Sequence, residues 1–225
     1  MSVALKFKEF QKESKRAQYG IGHEFGLILS LIDFGNVDYW YEFDNFNRDG
    51  KALKDNEKLN VDLEYLKQFC DLFSYNSKFY FGLDSKKKES IHLIASARNF
   101  FGKTNVVTKE IQYIQHYLND LEKKENTRSV TYDIHGQYIK IPKCNFDVEI
   151  CIDAIRLADK YDTLCLFSGD ADFTALLRFL KYQKKKIILI KGGRVLHSLV
   201  KASDLVINAQ EIKNELVFIK QKSRR

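Results

Sequence analysis

Between about residues 26 and 208, strand-length apolar runs alternate with stretches whose apolar residues recur at helical spacing. The runs are "LILSLID", "KFYFGLD", "NVVTKEI", "TLCLFS", "KIILIKG" and "LVIN". The helical stretches are "VDLEYLKQFCDLFSY", "KKESIHLIASARNFF", "FDVEICIDAIRLADKY", "DFTALLRFLKYQ" and a short piece near "RVLHSLVKAS". A strand is continuously apolar when both of its faces are covered. The pattern therefore predicts an α/β fold with a mainly parallel central sheet flanked by helices. In such sheets, sites form at the carboxyl ends of strands near a reversal of strand order. The fold by itself names no function.

Around this repeating pattern the chain changes character. Residues 1–25 read as a basic, partly amphipathic extension, residues 41–60 are polar, and 209–225 read as a basic tail ending in "KQKSRR". Residues 114–141 are irregular, and "SVTYDIHGQYIKI" there alternates like an exposed hairpin or arm. With 44% apolar residues a core is available without disulfide staples. The four cysteines show no C-x-x-C pairing and no His at zinc-finger spacing, and Cys151 and Cys165 lie in apolar runs, so a reduced compartment is expected. No apolar run approaches membrane length and the basic N-terminus has no apolar signal core, so the expectation is a cytoplasmic protein with no membrane partner. The net charge of +7 favours a polyanionic partner. The basic clusters, Lys86 to Lys88 and Lys184 to Lys186 through Lys191 and Arg194, also fit ordinary solvated surface.

Carboxylates fall at the predicted strand ends. Asp33 ends "LILSLID" before a Gly-Asn turn, and Asp170 lies just past "TLCLF", so both project from one edge of a parallel sheet. Asp172 opens the next helix, where a cap or the helix dipole also accounts for an acid. On a helix turning ~100° per residue, Asp147 shares a face with Cys151, Ala154 and Ala158, small residues suited to lying on a sheet. Capping or a pair with Lys143 would explain this acid, and so would a metal shared with Asp33, Asp170 and Asp172. Glu149, Asp153, Arg156 and Lys160 form the opposite, polar stripe, where Asp153 is expected to meet solvent. Unscreened carboxylates repel by about 4 kcal/mol per pair at 4 Å and an effective dielectric near 20. A convergence of four needs a cation, and hard oxygen donors select Mg²⁺ or Mn²⁺ over zinc.

The motifs "LIDFGNV", "YFGLD", "NVVTKEIQYI", "KCNFDVEICIDAI", "YDTLCLFSGDADFTALLRFL" and "KKIILIKGGRVLHSLVKASDLVIN" occur in the order found in NYN domains. The chain resembles these PIN-like ribonucleases over about residues 26–208, and most closely their LabA-like (DUF88) branch. The resemblance implies a PIN-like Rossmannoid three-layer sandwich, with 114–141 as an insertion. It implies an acidic site at Asp33, Asp147, Asp170 and Asp172, supported by hydrogen bonds from Asn36 and Ser168. It also implies Mg²⁺ or Mn²⁺ at those four acids and endonucleolytic hydrolysis of RNA leaving a 5′-phosphate.

Lys143, Lys191, Arg194, Tyr39 and Trp40 are candidates for RNA contact, the aromatics by stacking. Tyr41 could stack in the same way, but a tight cluster such as Tyr39, Trp40 and Tyr41 is more often part of a core or an interface. His197 reads as a surface or phosphate-side contact. A rival reading is a non-catalytic module that binds RNA or a nucleotide, and a homodimer is open. "GDADF" also resembles an acidic motif of haloacid dehalogenase phosphatases. That family needs a D-x-D pair after its first strand, whereas Phe34 and Gly35 follow Asp33.

Overall fold

The computed structural model describes residues 3–47, 49–127 and 129–222. In chain order the elements begin with α1 (Val3–Gln18), β1 (Ile28–Asp33), α2 (Phe34–Val37), β2 (Glu57–Val61), α3 (Leu63–Asp71), β3 (Ser74–Leu83), α4 (Lys88–Phe101) and β4 (Val106–Glu110). Then come β5 (Gln112–Tyr117), α5 (Asp120–Glu125), β6 (Thr131–Asp133), β7 (Gly136–Lys143), α6 (Asp147–Arg156) and β8 (Thr163–Phe167). The chain continues with α7 (Thr174–Tyr182), β9 (Lys186–Lys191), α8 (His197–Lys201), β10 (Leu205–Asn208), α9 (Lys213–Leu216) and β11 (Val217–Gln221).

Six strands form one sheet in the order β10-β9-β8-β1-β3-β4, and every pairing is parallel. Residues 29, 31, 164, 166, 187 and 189 point to one face, where they pack with Phe146, Ile150 and Ala154 of the α6 segment and Leu176, Leu177 and Leu180 of α7. Residues 28, 32, 79, 165, 167, 188 and 190 point to the other, against Leu66 and Phe69 of α3 and Ala97 and Phe101 of α4. This is the expected three-layer α/β sandwich. Each fully buried Leu or Ile contributes about 1.5–3 kcal/mol relative to exposure, which explains why both strand faces read as apolar.

The flanks are more structured than a tail and an extension. Tyr19, Ile21 and Phe25 are buried in the core, so the segment before residue 26 is part of the packed domain over its last turn. Lys15 of α1 bonds Glu215 at 2.9 Å. Over its described part the 209–225 tail is folded: Ile212, Leu216 and Val217 are buried, and β11 pairs antiparallel with β2. A five-residue strand with a partner about 160 positions away leaves little local trace. Residues 223–225 of the basic terminus lie outside the described residues.

The irregular segment is an arm of three antiparallel strands in the order β5-β7-β6. Its hairpin joins β6 to β7 across Ile134 and His135, with Asp133 opposite Gly136. Gly136 has φ +124°, a conformation that L side chains rarely adopt. The arm spans 112–143, slightly beyond the expected 114–141.

Candidate active site

The strand order reverses about β1: the chain passes from β1 to β3 on one side and reaches β8 on the other. Asp33 is the last residue of β1, and Ser168, Gly169 and Asp170 immediately follow β8. The two acidic loops therefore meet at the carboxyl edge, where parallel sheets form sites.

Ser168 ties the loops together. Its Oγ donates to Asp33 Oδ2 at 3.1 Å and accepts the Asp170 amide at 3.2 Å. Asn36 does the same from α2, its Oδ1 accepting the Gly169 amide at 3.1 Å. Trp40 Nε1 donates to that same oxygen at 3.1 Å. Trp40 also stacks on Phe167, with ring centroids 6.4 Å apart. A Cβ on Gly192 would stand only 2.4 Å from Trp40 Cδ1, so the bare glycine is what admits the indole.

Asp170 caps the short helical turn Ala171–Phe173, accepting the Asp172 amide at 2.9 Å. The roles are thus opposite to the simplest expectation: Asp170 is the cap, and exposed Asp172 has no capping task. Asp147 opens α6 and is clamped by Asn145, which donates from Nδ2 to Asp147 Oδ2 and accepts the Asp147 amide at Oδ1, both at 2.7 Å. Asn145, rather than Lys143, is the partner. Its signal in the sequence was the Asn-Phe-Asp spacing, an Asx turn ahead of a helix.

Asp147, Asp170 and Asp172 each offer a carboxylate oxygen, all within 4.8 Å of one another. Asp33 lines the same cleft, of about 270 Å³, with Asn36, Cys144, Asn145, Asp147 and Asp170. Burial pushes the Asp33 carboxyl up to about 6; the Ser168 hydrogen bond opposes this, while Asp147 and Asp170 add to it. Among the described residues none of the four acids has a salt bridge to Lys, Arg or His. Burial pushes the Cys144 thiol up. Uncompensated oxygen donors brought together in this way fit a hard divalent cation.

Asp153 corrects the exposed-stripe expectation. It is only 6% exposed, bonded to Lys78 Nζ at 2.8 Å, Tyr80 Oη at 2.7 Å and Arg156 at 2.6 Å. Burial raises its carboxyl, but the bonds from Lys78 and Tyr80 outweigh this and hold it below the usual range. The polar stripe of α6 turns partly toward β3, where Lys78 supplies the counter-charge.

The expected RNA contacts are dispersed. Tyr39 is 64% exposed, whereas Trp40 is half-buried in the packing just described and Tyr41 is buried, donating to the Ala209 carbonyl at 2.7 Å. Lys191 ends β9 and bonds the Gly193 carbonyl at 2.7 Å; Arg194 and His197 are exposed beyond it. Lys143 ends β7, exposed, two residues before Asn145.

A family model for the NYN domain matches residues 60–210. The chain belongs to the NYN domain family. Ser168, Asp147, Asp170 and Asp172 fall inside the matched range, and β1 with Asp33 and Asn36 precedes it. The low amplitude and bright protein LabA of Synechococcus elongatus is 31% identical over 83 residues, 36% of this chain and 43% of that protein. The chain thus matches less than half of that relative's length. A protein of unknown function from Vibrio parahaemolyticus has the same fold, with a TM-score of 0.51 at 18% identity, covering 85% of this chain and 95% of that one. Among the described residues of this NYN protein, no helix is long and apolar enough to cross a membrane.

Proposed function

We propose that this NYN protein is a divalent-metal-dependent endoribonuclease. The observation that carries the reading is the convergence of Asp147, Asp170 and Asp172 within 4.8 Å, at the edge where Asp33 ends β1, with no salt bridge to any of them among the described residues. Asp147, Asp170 and Asp172 would hold Mg²⁺ or Mn²⁺, and Asp33 would complete the negative wall. A bound ion of this kind activates water and stabilises charge on a phosphoryl group.

The chain's own residues set the geometry. Ser168 keeps the Asp33 and Asp170 loops in register, Asn36 holds Gly169, and Asn145 fixes the Asp147 carboxylate. Four converging acids repel a bare phosphate backbone, so lysines outside the cleft must position the RNA, and binding should weaken with salt. The net charge of +7 supports a polyanionic substrate. Family membership supports nuclease chemistry.

The test is cleavage of end-labelled single-stranded RNA with Mn²⁺ or Mg²⁺, beside EDTA and Asp170→Asn controls. Asn caps helices as well as Asp, so this variant keeps the Ala171–Phe173 turn. Metal-dependent cutting lost in Asp170→Asn is the expected result. Metal-independent RNA binding that is equal in both proteins, without cutting, would replace this reading with a non-catalytic RNA-binding module.

A further inference from the structure

The arm presents one face whose chemistry the acidic site does not use. Residues directly opposite in antiparallel strands share a face. Tyr113 lies opposite Pro142, Gln115 opposite Lys140 and Tyr117 opposite Tyr138, with Thr131 beside Tyr138 on β6. Two of these tyrosines keep open surface: Tyr113 is 39% and Tyr117 is 40% exposed. Both are fixed through their hydroxyls, Tyr113 donating to Asp84 at the end of β3 and Tyr117 donating to Asp133 at 2.7 Å. A ring already held in place loses little freedom when a planar ligand stacks on it.

At the Tyr113 end the face deepens into a concavity of about 510 Å³, lined by Lys87, Tyr113, Thr131, Lys140 and Pro142 among others. That lies within the size range of small-molecule sites. Lys87 Nζ sits 5.7 Å from the Tyr113 ring centroid and 3.4 Å from Asp84. Lys140 has no carboxylate within ion-pair distance among the described residues. The arm also leads straight into the cleft: β7 ends at Lys143, and Cys144, Asn145, Phe146 and Asp147 line the acidic site.

We propose that this face of the arm binds a single-stranded stretch of RNA that continues out of the acidic cleft, with bases against Tyr113 and Tyr117 and phosphates at Lys87 and Lys140. The proposal rests on the reading of the chain as a protein that acts on RNA. Aromatic rings interleaved with lysines on a sheet are the general means of holding unpaired nucleotides with little sequence preference. The arm would then supply the substrate affinity that the acidic cleft, by its own charge, opposes.

The experiment is fluorescence anisotropy in EDTA with a labelled single-stranded RNA of about a dozen nucleotides, a length in the range of single-strand binding sites. Lys140→Glu and Tyr117→Ala are compared with wild type and with Lys12→Glu, an equal charge change on exposed α1. Lys140→Glu is an exposed polar change that leaves folding intact, so a folding defect in Tyr117→Ala would not void the test. The expected result is roughly tenfold weaker binding in both arm variants and little change in Lys12→Glu. Equal affinity in all four proteins overturns the proposal. A change confined to sedimentation overturns it too, and gives the face to a protein contact.

Cutting by wild type in Mn²⁺ is scored in parallel. Cutting with undiminished arm-variant affinity defeats the arm alone; arm-dependent binding without cutting defeats hydrolysis alone.

Discussion

Asn145 grips Asp147 from two sides, accepting its amide and donating to its carboxylate, each at 2.7 Å. Asp147 is the one acid of the close trio that comes from α6 rather than from the loop after β8, so its aim depends on this clamp. Removing a partner that orients a metal ligand typically lowers metal affinity 10–100-fold. Asn145→Ala should therefore weaken Mn²⁺ binding by about that factor in calorimetric titration. The two lost hydrogen bonds are half-exposed and should cost only about 1 kcal/mol of stability. A fall in stability with unchanged Mn²⁺ affinity would remove Asp147 from the ligand set.

Asp33 makes the metal-free protein sensitive to pH. Burial pushes its carboxyl up to about 6 in the folded protein, against an ordinary value of 3.8. Below about 4 both states hold the proton and the group is neutral in the balance. Between about 4 and 6 the unfolded chain releases the proton first, so stability falls as pH rises. Above 6 the full penalty stands, at most about 3 kcal/mol at 1.36 kcal/mol per unit. Asp33→Asn, without metal, should be more stable than wild type at pH 7 and equal to it near pH 4. Urea midpoints at the two pH values measure this, and an equal offset at both would contradict it.

The buried Lys78–Asp153 pair anchors α6 to β3 at 2.8 Å. Truncating one partner leaves the other charge buried alone, which typically costs 3–5 kcal/mol. Asp153→Ala should show a loss of that size in denaturant unfolding. The double change Lys78→Met with Asp153→Leu removes both charges and should recover much of it. Additive losses would mean that the two residues act separately.

How much of this was legible in the sequence depended on whether the cause was local. The strand runs were readable because burial on both faces forces continuous apolar composition, and Asp33 and Asp170 because each ends such a run. Asp153 was misread because a helical projection ranks faces only relative to one another. Whether the polar stripe meets water or Lys78 is decided by β3, about 75 positions earlier. For the same reason β11, whose partner β2 lies about 160 positions earlier, read as a tail. Asn145 left a local trace, the Asx spacing before Asp147, but its second bond to the carboxylate depends on side-chain geometry. Trp40 was ambiguous because the residue that admits it, Gly192, carries no side chain to announce the contact.

That contact yields a prediction with its own optical signal, since Trp40 is the sole tryptophan of the chain. A methyl at Gly192 would fall 2.4 Å from Trp40 Cδ1 and 2.7 Å from Cγ, both far inside contact distance. The indole cannot yield freely, because Phe167 stacks beside it and its Nε1 bonds Asn36. Asn36 in turn holds Gly169, the residue before Asp170. Gly192→Ala should therefore destabilise by about 1–3 kcal/mol, the usual range for overpacking. Its tryptophan emission should shift to longer wavelength as the ring moves toward water, and Mn²⁺ affinity should fall with it as the Asp170 loop loosens. Trp40→Phe separates the effects: it relieves the clash in the Gly192→Ala background yet still lacks the bond to Asn36. If the double variant regains stability without regaining Mn²⁺ affinity, the indole nitrogen is what tunes the acidic loop. If both return together, packing alone carried the effect.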